Sequence, residues 1–410
     1  MTLMTLVDKM IIKQDHKYFK EIDHICFLSK NLYNSTLYKI RQHYVEKKEY
    51  LNYNSVNKIF TNEKQVDYCA LPRKVSKCTQ MLVDKNYKSF FSLLNRKSKL
   101  LYDKPIKVPK YLDKVNGRQV ALYCKQALSF KKKGYVKLSG SSILVKTDKD
   151  VQFVRLVPKN GYYVIEVGYT IIEKCQKQDN GSYASIDIGV NNLATLTSNK
   201  FGPIIINGKP LKSINQYYNK RVASLRSVCD RINRSKTSKR IKSTTLKREN
   251  KISDYMHKAS RYIVNHLVST NVNTLICGYN EGWKQDTTMR KDDKQTFIQI
   301  PFTKFINMLK YKCKLEGINF VIQEESYTSK ASFMDRDYIP EYGKDSQTHE
   351  FSGKRIKRGL YKNPDGTTIN ADVNGSLNIM RKYLTQKEAW NEDIFSNCVE
   401  VCSMPIVKSF

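Results

Sequence analysis

At 410 residues and 40% hydrophobic content, the chain is long enough for two or three domains with full cores. Its unusual property is charge: 72 Lys and Arg against 38 Asp and Glu leave a formal +34. Such a field attracts polyanions and releases their counterions, so nucleic acid is the expected partner, and the lack of any long apolar segment argues against a membrane.

Residues 3–13 read as a strand carrying Leu3, Leu6, Val7, Ile11 and Ile12. From about 16 to 100 the apolar positions recur at helical spacing, first Phe19, Ile22, Ile25, Leu28 and Leu32, later Val75, Leu82, Tyr87 and Phe90. Residues 49–70, rich in Asn and Tyr, interrupt them as a loop with a short helix. From 101 to 182 the pattern changes to short alternating runs, among them 120–123, 135–138, 142–145, 153–156 and 162–168, separated by Gly, Pro and Lys. So many short strands predict a small antiparallel barrel or sandwich, to which strand 3–13 belongs if the helical block is an insertion. The polar, glycine-containing stretch 176–182 marks a domain boundary. Beyond it, strands are expected near 183–188, 193–198 and 203–206, then helices near 211–234 and 247–268. A strand at 273–278, a helix at 301–316 and a strand at 318–323 complete an α/β pattern with right-handed crossovers.

The ten cysteines include no CxxC pair, which fits reduced thiols in an intracellular protein. The segment Met1–Val7 is too short for a secretory signal and runs straight into charged residues. A cytoplasmic, nucleoid-associated location is therefore expected.

Two carboxylates stand out. Asp187 ends an apolar run in Ser185-Ile-Asp-Ile-Gly-Val-Asn-Asn192, where a charge is costly to bury unless it is paired or binds a cation. Asp372, in Asn370-Ala-Asp-Val-Asn-Gly-Ser-Leu377, opens a helix whose apolar residues Val373, Leu377 and Met380 recur at three and four. A strand Asp early and a helix Asp late form the metal-binding frame of an RNase H-like nuclease.

With these motifs the chain resembles the transposon-encoded TnpB proteins, RNA-guided nucleases related to Fanzors and type V CRISPR effectors. Asp187 and Asp372 match the first and third RuvC motifs. The segments 257–264, 278–285, 324–330 and 351–361 also resemble that family, in order, and the likeness is specific over roughly 183–385. The resemblance implies an α/β RNase H-like (RuvC) nuclease domain at 183–410. It also implies an N-terminal β-barrel wedge domain (1–15 and 101–182) interrupted by a helical recognition lobe (16–100).

A two-metal phosphodiesterase needs three or four carboxylates, because Mg²⁺ prefers oxygen ligands. In most RuvC nucleases the third is a Glu ending the fourth strand, but here that strand ends in Cys277-Gly278-Tyr279. Glu281 and Asp286 lie in the following loop, and Glu324-Glu325 ends the next strand. In an RNase H-like sheet that strand lies two spacings from the first, about 9.6 Å, a gap facing side chains can close around metals. Fanzors and a subset of TnpB proteins carry their glutamate at a similarly shifted place, which favours Glu325, then Glu324, then Glu281. Side chains alternate along a strand, so one of Glu324 and Glu325 faces the site.

Many TnpB proteins hold a zinc ribbon before the last Asp. Here the insertion at about 328–370 contains no cysteine and one histidine, His349, too few ligands for a tetrahedral site, so no zinc is expected. Its basic loop 351–359 is expected to be held by strand pairing, with Lys354 and Arg355 touching phosphate. Residues 219–251 carry twelve Lys and Arg and two acids, a phosphate-binding edge that includes Arg231, Arg234, Lys236, Lys239 and Arg240. Lys284 and Lys330 are further contact candidates, and Trp283, Phe297 and Phe302 either stack on bases or pin their loop to the core.

The expected function is that of an RNA-guided DNA endonuclease using two Mg²⁺, or Mn²⁺, held by Asp187, Glu325 or Glu324, and Asp372. Its partners would be a guide RNA and double-stranded target DNA, as a monomer or homodimer. The missing acid at 278 keeps two alternatives in view, a nuclease-inactive guided DNA-binding regulator and a guide-free nuclease or transposition accessory protein.

Overall fold

The computed structural model describes residues 3–233, 237–280, 291–341, 343, 349–357, 359–395 and 404–410. The chain divides into two compact units, Thr2–Ile172 and Glu173–Phe410.

In the first unit, β1 (Leu3–Ile12) is followed by four helices, α1 (Phe19–Lys47), α2 (Tyr53–Asn62), α3 (Val66–Cys69) and α4 (Arg73–Ser98). Ile22, Ile25, Cys26, Leu32, Leu37 and Ile40 line the buried stripe of α1, and Val75, Val83 and Tyr87 that of α4, as their spacing predicts. The stretch expected as a loop with a short helix contains α2 and α3. Asn52 starts α2 by accepting the Ser55 N–H at 3.1 Å. Six strands follow: β2 (Ala121–Cys124), β3 (Leu128–Ser129), β4 (Tyr135–Leu138), β5 (Leu144–Lys146), β6 (Val151–Pro158) and β7 (Tyr163–Ile172). β1 pairs antiparallel with β7 along its full length, from Leu3↔Ile172 to Ile12↔Tyr163, so the helices are an insertion within one sheet. Among the described residues the strands form two sheets, β1-β7-β6-β2 and β3-β4-β5, rather than one closed barrel.

The second unit begins with β8 (Tyr183–Asp187), β9 (Asn192–Ser198) and β10 (Ile204–Asn207), then α5 (Lys209–Asn233) and α6 (Lys239–Ser269). β11 (Thr274–Gly278), α7 (Lys291–Gln299), α8 (Phe302–Leu315) and β12 (Asn319–Gln323) follow. The small strands β13 (Lys354–Lys357), β14 (Leu360–Lys362) and β15 (Thr368–Asn370) lead into α9 (Ala371–Gln386), and β16 (Ile406–Lys408) lies near the end. The main sheet has the order β12-β11-β8-β9-β10-β16, with β8, β11 and β12 parallel and β9 antiparallel to both neighbours. The fifth strand thus lies beside the fourth and the fourth beside the first, the order expected above. Ala184, Ile186, Leu196, Leu275 and Cys277 share a core with α6 and α8, while Tyr183 and Ile276 pack against Ile379, Met380 and Leu384 of α9. No described helix is long and apolar enough to cross a membrane.

Two elements differ from expectation. Helix α6 starts at Lys239, not near 247, because Ser238 caps it by accepting the Ile241 N–H. Strand β16, three residues long, carries no periodic signal of its own and exists through parallel pairing with Ile204–Ile206 of β10.

Candidate active site

Strand β8 alternates its side chains. Ala184 and Ile186 enter the apolar core, so Ser185 and Asp187 point to the opposite face, toward α9. A polar seam fixes that contact: Ser185 Oγ donates to Ser376 O at 2.6 Å, and the Ser376 hydroxyl lies 3.0 Å from Thr195 O. Gly375 permits the approach, since a Cβ there would stand 3.0 Å from Asp187 Oδ2. Burial, then repulsion from Asp372, pushes the Asp187 carboxyl up to about 7, partly countered by Arg355.

Gly278 closes β11 one residue beyond the Cys277–Ile186 pair, which sets it beside Asp187. A Cβ at 278 would overlap Ile379 Cδ1 and lie 2.8 Å from Glu325 Oε2. The Glu325 carboxylate therefore occupies the volume a residue-278 side chain would enter. Burial, then the charges of Asp187 and Glu324, raises its pKa to about 8. Strand β12 ends at Gln323, so Glu324 and Glu325 lie just past it. The two diverge: Asn280 Oδ1 accepts the Glu325 N–H at 3.1 Å, whereas Glu324 Oε2 lies 2.5 Å from Lys382 Nζ. Burial alone would raise the Glu324 pKa, but the bonds from Lys382 and Ser326 hold it below the usual carboxylate value.

Asp372 stands in the first turn of α9, where the helix dipole favours a carboxylate. Asn370 caps that turn through the N–H groups of Asp372 and Val373, at 3.0 and 3.2 Å. The carboxylate is held from both sides, by Asn192 Nδ2 at 2.6 Å and by an Arg355 guanidinium nitrogen at 3.1 Å. Asp187, Glu325, Asp372 and Arg355 line one cleft of about 750 Å³. Glu324, turned to Lys382, is not among its lining residues. Glu281 and Asp286 lie outside the described residues.

Among the described residues, no three His, Cys, Asp or Glu side chains are close enough together to hold a metal ion. The donor set nonetheless fits a hard divalent cation in kind. It is all carboxylate oxygen, its members repel one another, and a guanidinium already balances Asp372. Asn192, Asn280 and Arg355 are contributors that sequence reasoning either missed or read differently. Asn192 lay within the quoted motif, while nothing in the pattern aimed Arg355, expected on phosphate, at Asp372.

Of the other candidate contacts, Arg231 is exposed on α5, and Lys239 and Arg240 on the first turn of α6. Between these helices runs a groove of about 640 Å³ lined by Arg221, Arg240, Lys247 and Lys251, with Tyr217 two-thirds exposed. Lys354 is exposed on β13, and Lys330 Nζ lies 5.9 Å from the Tyr327 ring centroid. Arg234, Lys236, Lys284 and Trp283 fall outside the described residues. Phe297 and Phe302 are buried with ring centroids 5.5 Å apart, so they pin α7 and α8 to the core. In the cysteine-free insertion, β13-β14-β15 pair antiparallel. The buried Ser332 there bonds Asp335 at 2.6 Å and Asn363 at 3.1 Å through its hydroxyl, and Asp337 at 2.7 Å through its N–H.

Residues 162–284 match the OrfB_IS605 family, described as a probable transposase, and residues 302–379 match the Cas12f1-like TNB domain. A CRISPR-associated endodeoxyribonuclease Cas12f2 from a Micrarchaeota archaeon is 29% identical over 57% of this chain and 43% of its own length. The match thus spans less than half of that relative. The TnpB-like protein ORF457 of Acidianus two-tailed virus is 21% identical over 88% of this chain and 83% of its own. Among solved structures, a Cas12f1–sgRNA–target DNA complex aligns over 91% of this chain and 98% of that chain, with 15% identity and a TM-score of 0.34.

Proposed function

We propose that this chain, a relative of the TnpB and Cas12f proteins, is an RNA-guided, metal-dependent DNA endonuclease whose acids are Asp187, Glu325 and Asp372. The observation that carries the reading is the position of Glu325. Its carboxylate fills the space beside Asp187 that the glycine at 278 leaves free, which compensates for the acid absent there. Bound Mg²⁺ or Mn²⁺ would lower the pKa of a coordinated water and stabilise the leaving oxygen of a phosphodiester. The chain's own residues supply the frame. Asp187 and Asp372 are brought together by the β8–α9 seam, Glu325 is anchored through its N–H by Asn280, and Arg355 balances charge at Asp372.

The partners follow from charge and from the names of the relatives. The α5–α6 groove, basic and edged by Tyr217, suits a phosphate backbone, as does the exposed face of β13. Base pairing with a guide would read sequence while the protein holds heteroduplex backbone. In this reading the unit Thr2–Ile172 supplies the wedge domain and recognition lobe.

The test is plasmid cleavage by protein purified with its own RNA, in Mg²⁺ and in EDTA. Cleavage in Mg²⁺ that EDTA and RNase both abolish is expected. Glu325→Gln should reduce it by at least about 100-fold, a loss of about 2.7 kcal/mol or more, and Glu324→Gln by less. Cutting that survives RNase would instead identify a guide-free nuclease. A second reading, a guided DNA-binding regulator without cleavage, is favoured by Gly278, which stands where most RuvC nucleases carry an acid. It predicts target binding with no cutting in either metal.

A further inference from the structure

Helix α9 presents one side chain per turn to successive strands of the sheet. Ser376 meets β8 and β9, Ile379 meets Gly278 at the end of β11, and Lys382 meets the segment just past β12. Lys382 is 4% exposed, an uncommon place for an ammonium group. All three of its protons have acceptors: Glu324 Oε2 at 2.5 Å, Ser326 O at 3.1 Å and Pro340 O at 3.0 Å. The first two belong to the residues flanking Glu325 on either side.

We infer that Lys382 is a positioning residue for the Glu325 carboxylate. Gripping residues 324 and 326 from a helix whose own first turn carries Asp372, it sets the spacing between Glu325 and Asp372 through one rigid element. Glu324 is then the handle by which its neighbour is aimed. This inference rests on the reading of Glu325 as a metal-holding residue. It also accounts for the paired glutamates: an acid at 324 satisfies a buried cation, and an acid at 325 serves the cleft.

The grip is tested by Mn²⁺ titration followed by electron paramagnetic resonance, on full-length protein with its RNA. Lys382→Met should weaken Mn²⁺ binding about ten-fold or more, in the range usual for residues that orient metal ligands. Glu324→Gln, which keeps an acceptor for Lys382, should weaken it less, and Lys382→Arg should recover part of the loss. Lys312→Met is the matched control: Lys312 is also buried, but it bonds His257 O and Ser260 Oγ between α6 and α8, and its loss should leave Mn²⁺ affinity unchanged. If Lys382→Met does not fold, Glu324→Ala removes the handle from its half-exposed side and should weaken binding by a similar factor. Wild-type Mn²⁺ affinity in Lys382→Met or Glu324→Ala, with Glu325→Gln weakened, overturns the inference and spares the site. Wild-type affinity in Glu325→Gln overturns the reading beneath it.

Discussion

A side chain at position 278 and the carboxylate of Glu325 compete for one volume. A methyl group at 278 would press on Ile379 Cδ1 and on Glu325 Oε2, the tips of two side chains that would both have to give. Overpacking of this kind costs about 1–3 kcal/mol, and one of the two groups that must give is the acid proposed for the site. Gly278→Ala is therefore expected to lower cleavage by about ten-fold or more while the protein stays folded at 25 °C. Single-turnover cleavage alongside a thermal melt measures both, and unchanged cleavage would contradict the competition between residue 278 and the Glu325 carboxylate for one volume. The same geometry explains what the sequence could and could not tell about this pair. Alternation predicts that Glu324 and Glu325 face opposite ways, and they diverge although both lie past the strand end, but which one enters the cleft depends on Lys382, nearly sixty residues on, whose burial no local pattern marks.

At the scale of elements, segments with a periodic pattern were legible, short strands such as β2 and β4 included, whereas β16 and the start of α6 were not. Helices α1, α4 and α9 follow from apolar spacing, whereas the order β12-β11-β8 is expected from the resemblance to an RNase H-like sheet and not from local pattern. The start of α6 is a basic stretch without an apolar stripe, anchored by a cap, so its pattern hides it. Tertiary bonds across elements were equally invisible, and one of them carries a pH dependence. Asp23 of α1 is held by Arg118 at 2.8 and 3.0 Å and by the Tyr163 hydroxyl of β7. The Arg118 bond foremost, with the Tyr163 bond and the Arg118 and His24 charges, outweighs burial and keeps the Asp23 carboxyl below its ordinary value. A depressed carboxyl stabilises the fold above the unfolded-state pKa of about 3.9 and loses that contribution as pH falls through the folded value. Asp23→Asn should therefore lower stability by about 1 kcal/mol or less at pH 7, given partial exposure, with the difference from wild type shrinking below about pH 4. Thermal melts of both proteins across pH 3–7 decide this, and a gap that widens in acid would contradict the sign.

For the molecule as a whole, a charge of +34 predicts that polynucleotide binding is dominated by counterion release. The logarithm of affinity should fall linearly with the logarithm of salt, with a slope of about −0.9 per duplex phosphate contact. Replacing Lys247 and Lys251 of the α5–α6 groove with Ala should each reduce the steepness by about one. An unchanged slope would mean that the groove faces solvent in the complex. Charge was thus readable from composition alone, whereas the ion pair between Arg355 and Asp372 required the hairpin and helix to be folded. The central claim, that Asp187, Glu325 and Asp372 gather around divalent metal, is met most directly by anomalous diffraction from the nucleic-acid-bound protein grown with Mn²⁺. The account predicts manganese peaks within coordination distance of all three carboxylates, with Arg355 withdrawn from Asp372. Manganese held without Glu325, or no peak in the cleft, would contradict it.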